Sequence, residues 1–311
     1  MLNRTMWENF SSDTGVTTNA LTTWEGVVDV AAQYYDWSGG DAFFGLDSFA
    51  NYMEIGAAQL GKDIFLYDNE QIEIQADYDT FRKLWNCYYI PYIKGHYLKV
   101  GRFRSDDIKI GKIIAEVCST SSASYFPTEV TTNDQLTYPI DYLVLPVPIF
   151  ENATPYLIQQ GADMAILKST PKEEYASILF LQWFTQNEQN LRFTLQSGYL
   201  PVKEEALNRT VIDAFYEEHE TSSIIKDTIY TALSQMEHGI IYATGDSIPY
   251  TARLLLETSM PNIAAARREE IQSTQNETNA NILLYKYSDY FYFDQWYQSL
   301  FAELLTCTHT K

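Results

Sequence analysis

Basic residues are scarce in this sequence. The chain of 311 residues has 21 Lys and Arg against 41 Asp and Glu, which gives a formal net charge of −20 at pH 7. No run of Lys or Arg forms a local basic patch. Because a chain of this charge repels phosphate backbones and anionic lipid headgroups, nucleic-acid binding and peripheral membrane binding are both disfavoured.

Long apolar runs and a recognisable export leader are also lacking. No stretch reaches about 18 consecutive apolar residues, and the start of the chain does not place a basic segment before an apolar one. The printed sequence therefore predicts no transmembrane helix and no visible export signal. Hydrophobic residues nevertheless make up 46% of the chain, which is enough to bury a large core, and the length suits about two domains or lobes.

Motifs that carry catalysis or metal binding are missing. The three cysteines have no CxxC spacing, so we interpret them as thiols that pack in the interior. No GxSxG, GxxxxGK[ST], GxGxxG or HExxH motif occurs. We therefore expect no metal and no cofactor. A glycosidase pair needs only two carboxylates that are close in space, so the many Asp and Glu leave that alternative open, although an acidic surface is the simpler interpretation.

Capping boxes and apolar residues at helical spacing predict helices in both halves of the chain. Thr22 and Glu25 have the spacing of a capping box and predict a helix over about 23–35. Residues 77–89 have apolar side chains at helical spacing, and Pro91 is expected to close that helix.

A second group of helix signals lies further along the chain. Thr170 and Glu173 form another capping box, with Pro171 at the first helical position. A further helix is expected from Asn187 to the glycine at position 198.

Short apolar segments bounded by turn residues predict strands, among them 141–146 and 162–167. Because strands and helices alternate, the pattern predicts an α/β protein. Small-residue loops at 119–124 and 159–163 follow such segments. Strand ends and helix starts of this kind bind hydroxyl, carboxylate or phosphate oxygens, although ordinary loops would have the same composition.

Several of these stretches resemble one known family. Residues 160–171, 180–185, 187–193 and 197–202 resemble, in order and spacing, the family 1 extracellular solute-binding proteins of ABC importers. Residues 3–7 and 108–124 are similar to earlier segments of that family. The resemblance therefore runs from about residue 2 to about residue 300.

The resemblance implies a periplasmic-binding-protein-like (type II) α/β architecture, in which two lobes close over one solute and deliver it to a membrane permease. It also implies an extracytoplasmic location, periplasmic or membrane-anchored, without catalysis. Residues 1–147 would form the first part of the C-terminal lobe, 148–202 a returning segment of the N-terminal lobe, and 203–311 the helical remainder of the C-terminal lobe. The family's N-terminal lobe would then be only partly present.

The resemblance further implies a set of ligand-binding residues. The serines of the 119–124 loop and the stretch around Ser48 are most similar to glycerol-3-phosphate-binding members, so the expected solute is a sugar, a polyol or a glycerol phosphate. Arg253 is an anion-binding candidate, with a solvated helix residue as the alternative. The full set of expected ligand-binding residues is Ser48, Ser121, Ser122, Gly161, Tyr199 and Arg253.

Two other functions remain open at this point. A remnant of the fold would act as an interaction protein without a ligand, and a glycan-processing enzyme would use hidden carboxylates. If the N-terminal lobe is partial, apolar surface around Ile166, Phe180 and Trp183 is expected to be exposed, which favours self-association.

Overall fold

The computed structural model describes residues 1–68, 71–75, 77–132, 136–242 and 249–309. In these ranges the helices are α1 Arg4–Thr14, α2 Trp24–Ser38, α3 Phe49–Gln59, α4 Tyr78–Lys94, α5 Arg104–Lys109, α6 Pro171–Phe184, α7 Asn187–Ser197, α8 Arg209–Glu218, α9 Ser223–Met236, α10 Tyr250–Ser273, α11 Glu277–Tyr287 and α12 Tyr290–His309. The strands are β1 Leu2–Asn3, β2 Phe44–Leu46, β3 Phe65–Asp68, β4 Gln71–Ile74, β5 Ala115–Val117, β6 Glu129–Thr131, β7 Thr137–Pro139, β8 Tyr142–Leu143, β9 Leu157–Gln159 and β10 Ile240–Tyr242.

The main sheet has the strand order β2-β5-β1-β8. Strands β2 and β5 are parallel, with Gly45 opposite Glu116, and β1 is antiparallel to both of its neighbours. Strands β9 and β10 form a separate parallel pair, while β3–β4 and β6–β7 are antiparallel hairpins. The fold is therefore mixed α/β and rich in helix.

One larger and one smaller hydrophobic core hold most of these elements together, and a third, minor cluster contains Ala42, Ile108, Ile113 and Phe126. The larger one joins α1–α4 with α10–α12 and contains the indole rings of Trp24 and Trp85, both 2% exposed. The smaller one joins α7, α8 and α9 to Ala123 in the short 3₁₀ turn Thr120–Tyr125. Helix α3 is buried along its whole length, so it forms the centre of the larger core.

Several local predictions differ from the structure. The residue that caps α2 is Thr23, whose side chain accepts a hydrogen bond from the Gly26 amide at 3.1 Å, and the expected capping box at Thr22 is wrong. Helix α4 continues through Pro91 to Lys94 and ends at Gly95, which has a φ of 87°.

The strand predictions are also only partly right. Residues 162–167 form no strand, and the nearest strand is β9 at Leu157–Gln159. The segment expected at 141–146 is a strand only at Tyr142–Leu143. The Thr170 capping box, Pro171 at the start of α6 and the left-handed Gly198 at the end of α7 are confirmed.

Every helix in the described part of the chain is too short or too polar to cross a lipid bilayer. The same residues contain no group of three or more His, Cys, Asp or Glu side chains arranged to hold a metal ion.

Candidate functional site

Two neighbouring parallel strands bring polar residues to one edge of the main sheet. Strands β2 and β5 end side by side, and the Asp47 amide donates to the Val117 carbonyl at 3.0 Å. Ser48 follows β2, and the 3₁₀ turn Thr120–Tyr125 follows β5. Because the carboxyl ends of parallel strands meet at the same edge, Ser48 and this turn lie on the same side of the sheet.

Ser48 links β2 to α3 in a conformation that is unusual for a residue with a side chain. Its φ is 53° and its ψ is 64°, in the left-handed region, which costs on the order of 1–2 kcal/mol for a non-glycine residue. Ser48 is exposed and makes no side-chain cap to α3. The Ala50 amide at the start of α3 instead donates to Oε2 of Glu257 in α10, at 2.7 Å.

The turn after β5 contains a cluster of serine hydroxyls. Ser119 Oγ lies 2.9 Å from Ser121 Oγ and 3.1 Å from Ser122 Oγ, and Ser124 Oγ donates to the Ser121 carbonyl. These first three serines are half-buried. Since each hydroxyl both donates and accepts, the cluster can exchange its internal hydrogen bonds for bonds to a hydroxyl-bearing solute.

The end of α7 lies against this serine turn. A Cβ placed on Gly198, which has a φ of 80°, would lie 2.6 Å from the Thr120 carbonyl oxygen and 3.0 Å from the Ser121 Cα. Only a glycine allows this approach. The contact brings Tyr199 beside the serine turn, with its ring 37% exposed and stacked on Phe193 at 6.2 Å between centroids. We call Ser48, residues 119–125 and the turn at Gly198 and Tyr199 the polar edge.

Arg253 is held by a hydrogen-bonded network at the start of α3. Its Nη1 pairs with Glu54 Oε1 at 2.6 Å, and its Nη2 donates to Asn51 Oδ1 at 2.6 Å. Asn51 Nδ2 in turn donates to Gln160 Oε1 at 2.7 Å. The network joins α3, α10 and the segment after β9, and it uses both terminal nitrogens of the guanidinium.

The network also places Gly161, which follows Gln160. Gly161 is exposed, and a Cβ placed there would meet no atom within 4 Å. The surrounding structure therefore does not require glycine at this position.

A second arginine beside the polar edge is paired inside the protein. Arg104 is fully buried, its Nε lies 3.2 Å from Asp47 Oδ1, and its Nη1 pairs with Asp107. Burial raises the pKa of the Asp47 carboxyl, while Arg104 opposes that rise. Both arginines near the edge are thus neutralised by carboxylates.

Glu116 adds a buried carboxyl next to these groups. It lies in β5, is 2% exposed, and burial raises its pKa to about 7. The neighbouring Cys118 thiol also has a raised pKa, again mainly because of burial. The Met1 ammonium lies next to this strand and donates to the Glu116 backbone carbonyl at 2.8 Å.

Sequence reasoning missed the residues that connect the site to the rest of the fold. Asn51, Gln160, Glu257 and Arg104 were not among the predicted site residues, although they hold α3 and the end of β2 in place. The available signal was the presence of Asn51 and Glu54 in a helix that is otherwise apolar. Buried polar side chains need partners, but the sequence does not say which residues supply them.

A separate polar cavity of about 500 Å³ lies between β8 and α9. The Tyr142 hydroxyl donates to Asp227 Oδ2 at 2.9 Å across it, and Arg4 lies 3.6 Å from Asp141. None of the six predicted ligand-binding residues lines this cavity.

Comparisons with known proteins identify the family of this chain. The sequence model described as bacterial extracellular solute-binding protein matches residues 1–221. No curated protein matches the sequence.

Among solved structures, the cyclic α-maltosyl-1,6-maltose binding protein from Arthrobacter globiformis is similar, at 14% identity and a TM-score of 0.57 over 91% of this chain and 64% of that one. UgpB from Mycobacterium tuberculosis in complex with glycerophosphocholine gives 13% identity and a TM-score of 0.58, over 92% of this chain and 68% of that one. A Streptococcus pneumoniae solute-binding protein in complex with the blood group A-trisaccharide gives 13% identity and a TM-score of 0.57, over 89% of this chain and 66% of that one.

At these identities the structural likeness shows the fold. The chain spans about two thirds of the length of these proteins, and it has part of their two-lobe α/β architecture. The family match covers well over half of the chain. This protein therefore belongs to the bacterial extracellular solute-binding proteins.

Proposed function

We propose that this protein is the solute-binding component of an ABC importer and binds an uncharged, hydroxyl-rich solute, such as a carbohydrate, at the polar edge. The solute would be captured on the extracytoplasmic side and passed to the permease subunits of the importer. The observation that carries the proposal is the serine cluster in the turn after β5, with the turn at Gly198 and Tyr199 lying against it.

The chemistry of the polar edge suits hydroxyl groups. The three clustered serines offer donors and acceptors on neighbouring atoms, which matches the alternating hydroxyls of a sugar ring. The partly exposed ring of Tyr199 adds an apolar face with a hydroxyl at its end, a combination that stacks on a sugar ring and hydrogen-bonds to it.

The pairing of Arg104 and Arg253 with carboxylates favours an uncharged solute over a glycerol phosphate. A phosphate needs an available cation or free helix amides. Arg253 is bonded to Glu54 and Asn51, and the Ala50 amide at the start of α3 is bonded to Glu257. We infer that Arg253 holds α3 in place rather than binding an anion.

The proposal is tested by substituting the serine cluster and measuring binding. Isothermal titration calorimetry with a panel of neutral oligosaccharides first identifies a bound sugar in the unmodified protein. The double substitution Ser121→Ala and Ser122→Ala is expected to weaken that binding by about tenfold or more, because each lost hydrogen bond is worth roughly 0.5–1.5 kcal/mol. Ser299→Ala, in the exposed face of α12, is the matched control and should leave the affinity unchanged. Equal affinities for all three proteins would contradict a site at the polar edge.

A further inference from the structure

Ser48 precedes helix α3 without capping it. It is the residue before the first turn of α3, and its side chain makes no hydrogen bond to the amides of that turn. In other helices of the described chain the residue at this position does cap, as Thr23 does for α2 and Thr170 for α6. Serine is among the preferred residues for this role, because its hydroxyl accepts from an amide two or three positions further along. Ser48 is therefore at a capping position, but its hydroxyl is not used for capping.

A carboxylate from another helix takes the place of this cap. The Ala50 amide, two positions after Ser48, donates to Oε2 of Glu257 in α10 at 2.7 Å. A carboxylate is a strong acceptor at the start of a helix, since its charge interacts favourably with the helix dipole. Glu257 thus satisfies an amide that the Ser48 hydroxyl would otherwise reach.

The backbone of Ser48 also differs from that of a capping residue. Thr23 and Thr170, which cap their helices, are both extended, with ψ values of 152° and 149°. This extended conformation is the one in which a side chain reaches the amides of the first turn. Ser48 instead has a φ of 53° and a ψ of 64°, and it is exposed at the polar edge. The left-handed backbone, the missing cap and the exposed side chain therefore occur together.

Other contacts already hold α3 in the larger core. Every residue of α3 is buried, and Arg253, one turn before Glu257 in α10, bonds to Asn51 and Glu54. The bond from the Ala50 amide to Glu257 acts on the turn between β2 and α3. Loss of the Glu257 carboxylate is thus expected to change the conformation of this turn more than the position of the helix.

We propose that Glu257 is a positioning residue for the solute site, which caps α3 and so leaves the Ser48 hydroxyl free to bond to the solute. The inference rests on the proposed function, because it takes a hydroxyl-rich solute at the polar edge as given. Without Glu257, Ser48 would turn to the extended conformation and cap the Ala50 amide itself. Its hydroxyl would then be withdrawn from the solute.

A double-mutant cycle in sugar affinity tests the proposal, using isothermal titration calorimetry and a neutral oligosaccharide that binds the unmodified protein. Ser48→Ala removes the hydroxyl and is expected to weaken binding about fivefold, the effect of one hydrogen bond. Glu257→Ala should weaken it by a similar factor. The double variant should bind no more weakly than either single variant, because both substitutions remove the same hydroxyl from the site.

Two further variants control the cycle. Glu257→Gln keeps a side-chain oxygen that can accept from the Ala50 amide, so it should restore most of the affinity that Glu257→Ala loses. Glu269→Ala, at an exposed position of the same helix, should leave the affinity unchanged. Losses that multiply to about 25-fold in the double variant would show independent effects and overturn the proposal, and so would an unchanged affinity in Ser48→Ala or in Glu257→Ala.

A stability measurement that needs no solute separates this inference from the proposed function. In the unmodified protein, Ser48→Ala should leave the midpoint of urea denaturation unchanged, because the hydroxyl caps no amide. In the Glu257→Ala protein the same substitution should lower the midpoint, because the serine has become the cap. Equal shifts in both proteins overturn the proposal, whether or not a sugar binds. The expected midpoints without binding of any neutral sugar would refute the proposed function, and with it the role of Ser48 in binding, while the cap by Glu257 would stand.

Discussion

At the residue scale, Gly198 places the end of α7 directly against the backbone of the serine turn. Its φ of 80° and its approach to the Thr120 carbonyl both exclude a side chain. We expect Gly198→Ala to lower the free energy of unfolding by more than about 2 kcal/mol, because backbone strain and a steric clash add together. Urea denaturation measures the change.

Gly15 provides the matched control for this substitution. It has a nearly identical φ of 77°, but a Cβ placed there would meet no atom within 4 Å. Gly15→Ala should therefore cost only the backbone strain, on the order of 1 kcal/mol. If the two substitutions cost the same, Gly198 is not in close contact with the serine turn.

The buried carboxyl of Glu116 predicts a pH dependence of stability. Its pKa is raised to about 7 in the folded protein from 4.5, so between these values the folded state keeps a proton that the unfolded state has lost. The stabilisation is complete below about pH 4.5 and is lost as the pH rises through 7, by up to about 3 kcal/mol.

Glu116→Gln isolates this effect. The variant should lose less stability than the unmodified protein between pH 5 and pH 8 in urea denaturation, since it has no carboxyl to ionise. His96, whose pKa is lowered to about 4 mainly by burial, contributes with the opposite sign at acidic pH, but it is present in both proteins and cancels in the comparison. Parallel pH profiles for the two proteins would contradict the raised pKa.

At the scale of elements, Arg104 connects α5 to the end of β2. The guanidinium is fully buried and pairs with Asp47 and Asp107, and it also donates to the Gly101 carbonyl at 2.6 Å. Arg104→Ala leaves buried carboxylates without their partner, which is expected to cost about 3–5 kcal/mol in chemical denaturation. Arg102→Ala, at an exposed position nearby, should change stability by less than about 0.5 kcal/mol. A cost below about 1 kcal/mol for Arg104→Ala would show that the buried pairs are not needed.

Elements with a local signal were predictable, and elements that depend on distant partners were not. The Thr170 capping box and Gly198 act within one turn of their own helices, and both were confirmed. The choice between Thr22 and Thr23 depends on Ile149, whose carbonyl accepts from the Trp24 amide and bridges to Thr23. This contact holds Thr23 in the extended conformation that a helix cap requires.

The surrounding structure also overrides two local signals. Helix α4 passes Pro91 because Tyr92 and Ile93 are buried in the larger core, and that burial offsets the hydrogen bond that proline removes. Residues 162–167 have the composition of a strand but no neighbouring strand to pair with, and they stay exposed.

The candidate site likewise has one part with a local sequence signal and one part that depends on distant residues. The serine turn at a strand end followed from the chain order of a strand, small residues and a helix. In the network, Asn51 bonds to Gln160, 109 positions away along the chain, and to Arg253, 202 positions away. Sequence patterning gives no information on such pairs, so whether Arg253 was bound internally had to come from the structure.

At the scale of the whole molecule, the protein combines two main cores and a third, minor cluster with a net charge of −20. The polar edge lies where the 3₁₀ turn after β5 meets the smaller core through Ala123, and α7 of the same core contacts α6 through the rings of Phe193 and Phe184.

The central claim is that the polar edge binds an uncharged, hydroxyl-rich solute. Isothermal titration calorimetry of the unmodified protein against neutral oligosaccharides, glycerol 3-phosphate and glycerophosphocholine tests it most directly. We expect saturable binding of a neutral oligosaccharide, with glycerol 3-phosphate at least about tenfold weaker because Arg253 and Arg104 are already paired. Preferential binding of glycerol 3-phosphate, or no binding of any neutral sugar by the folded protein, would contradict it.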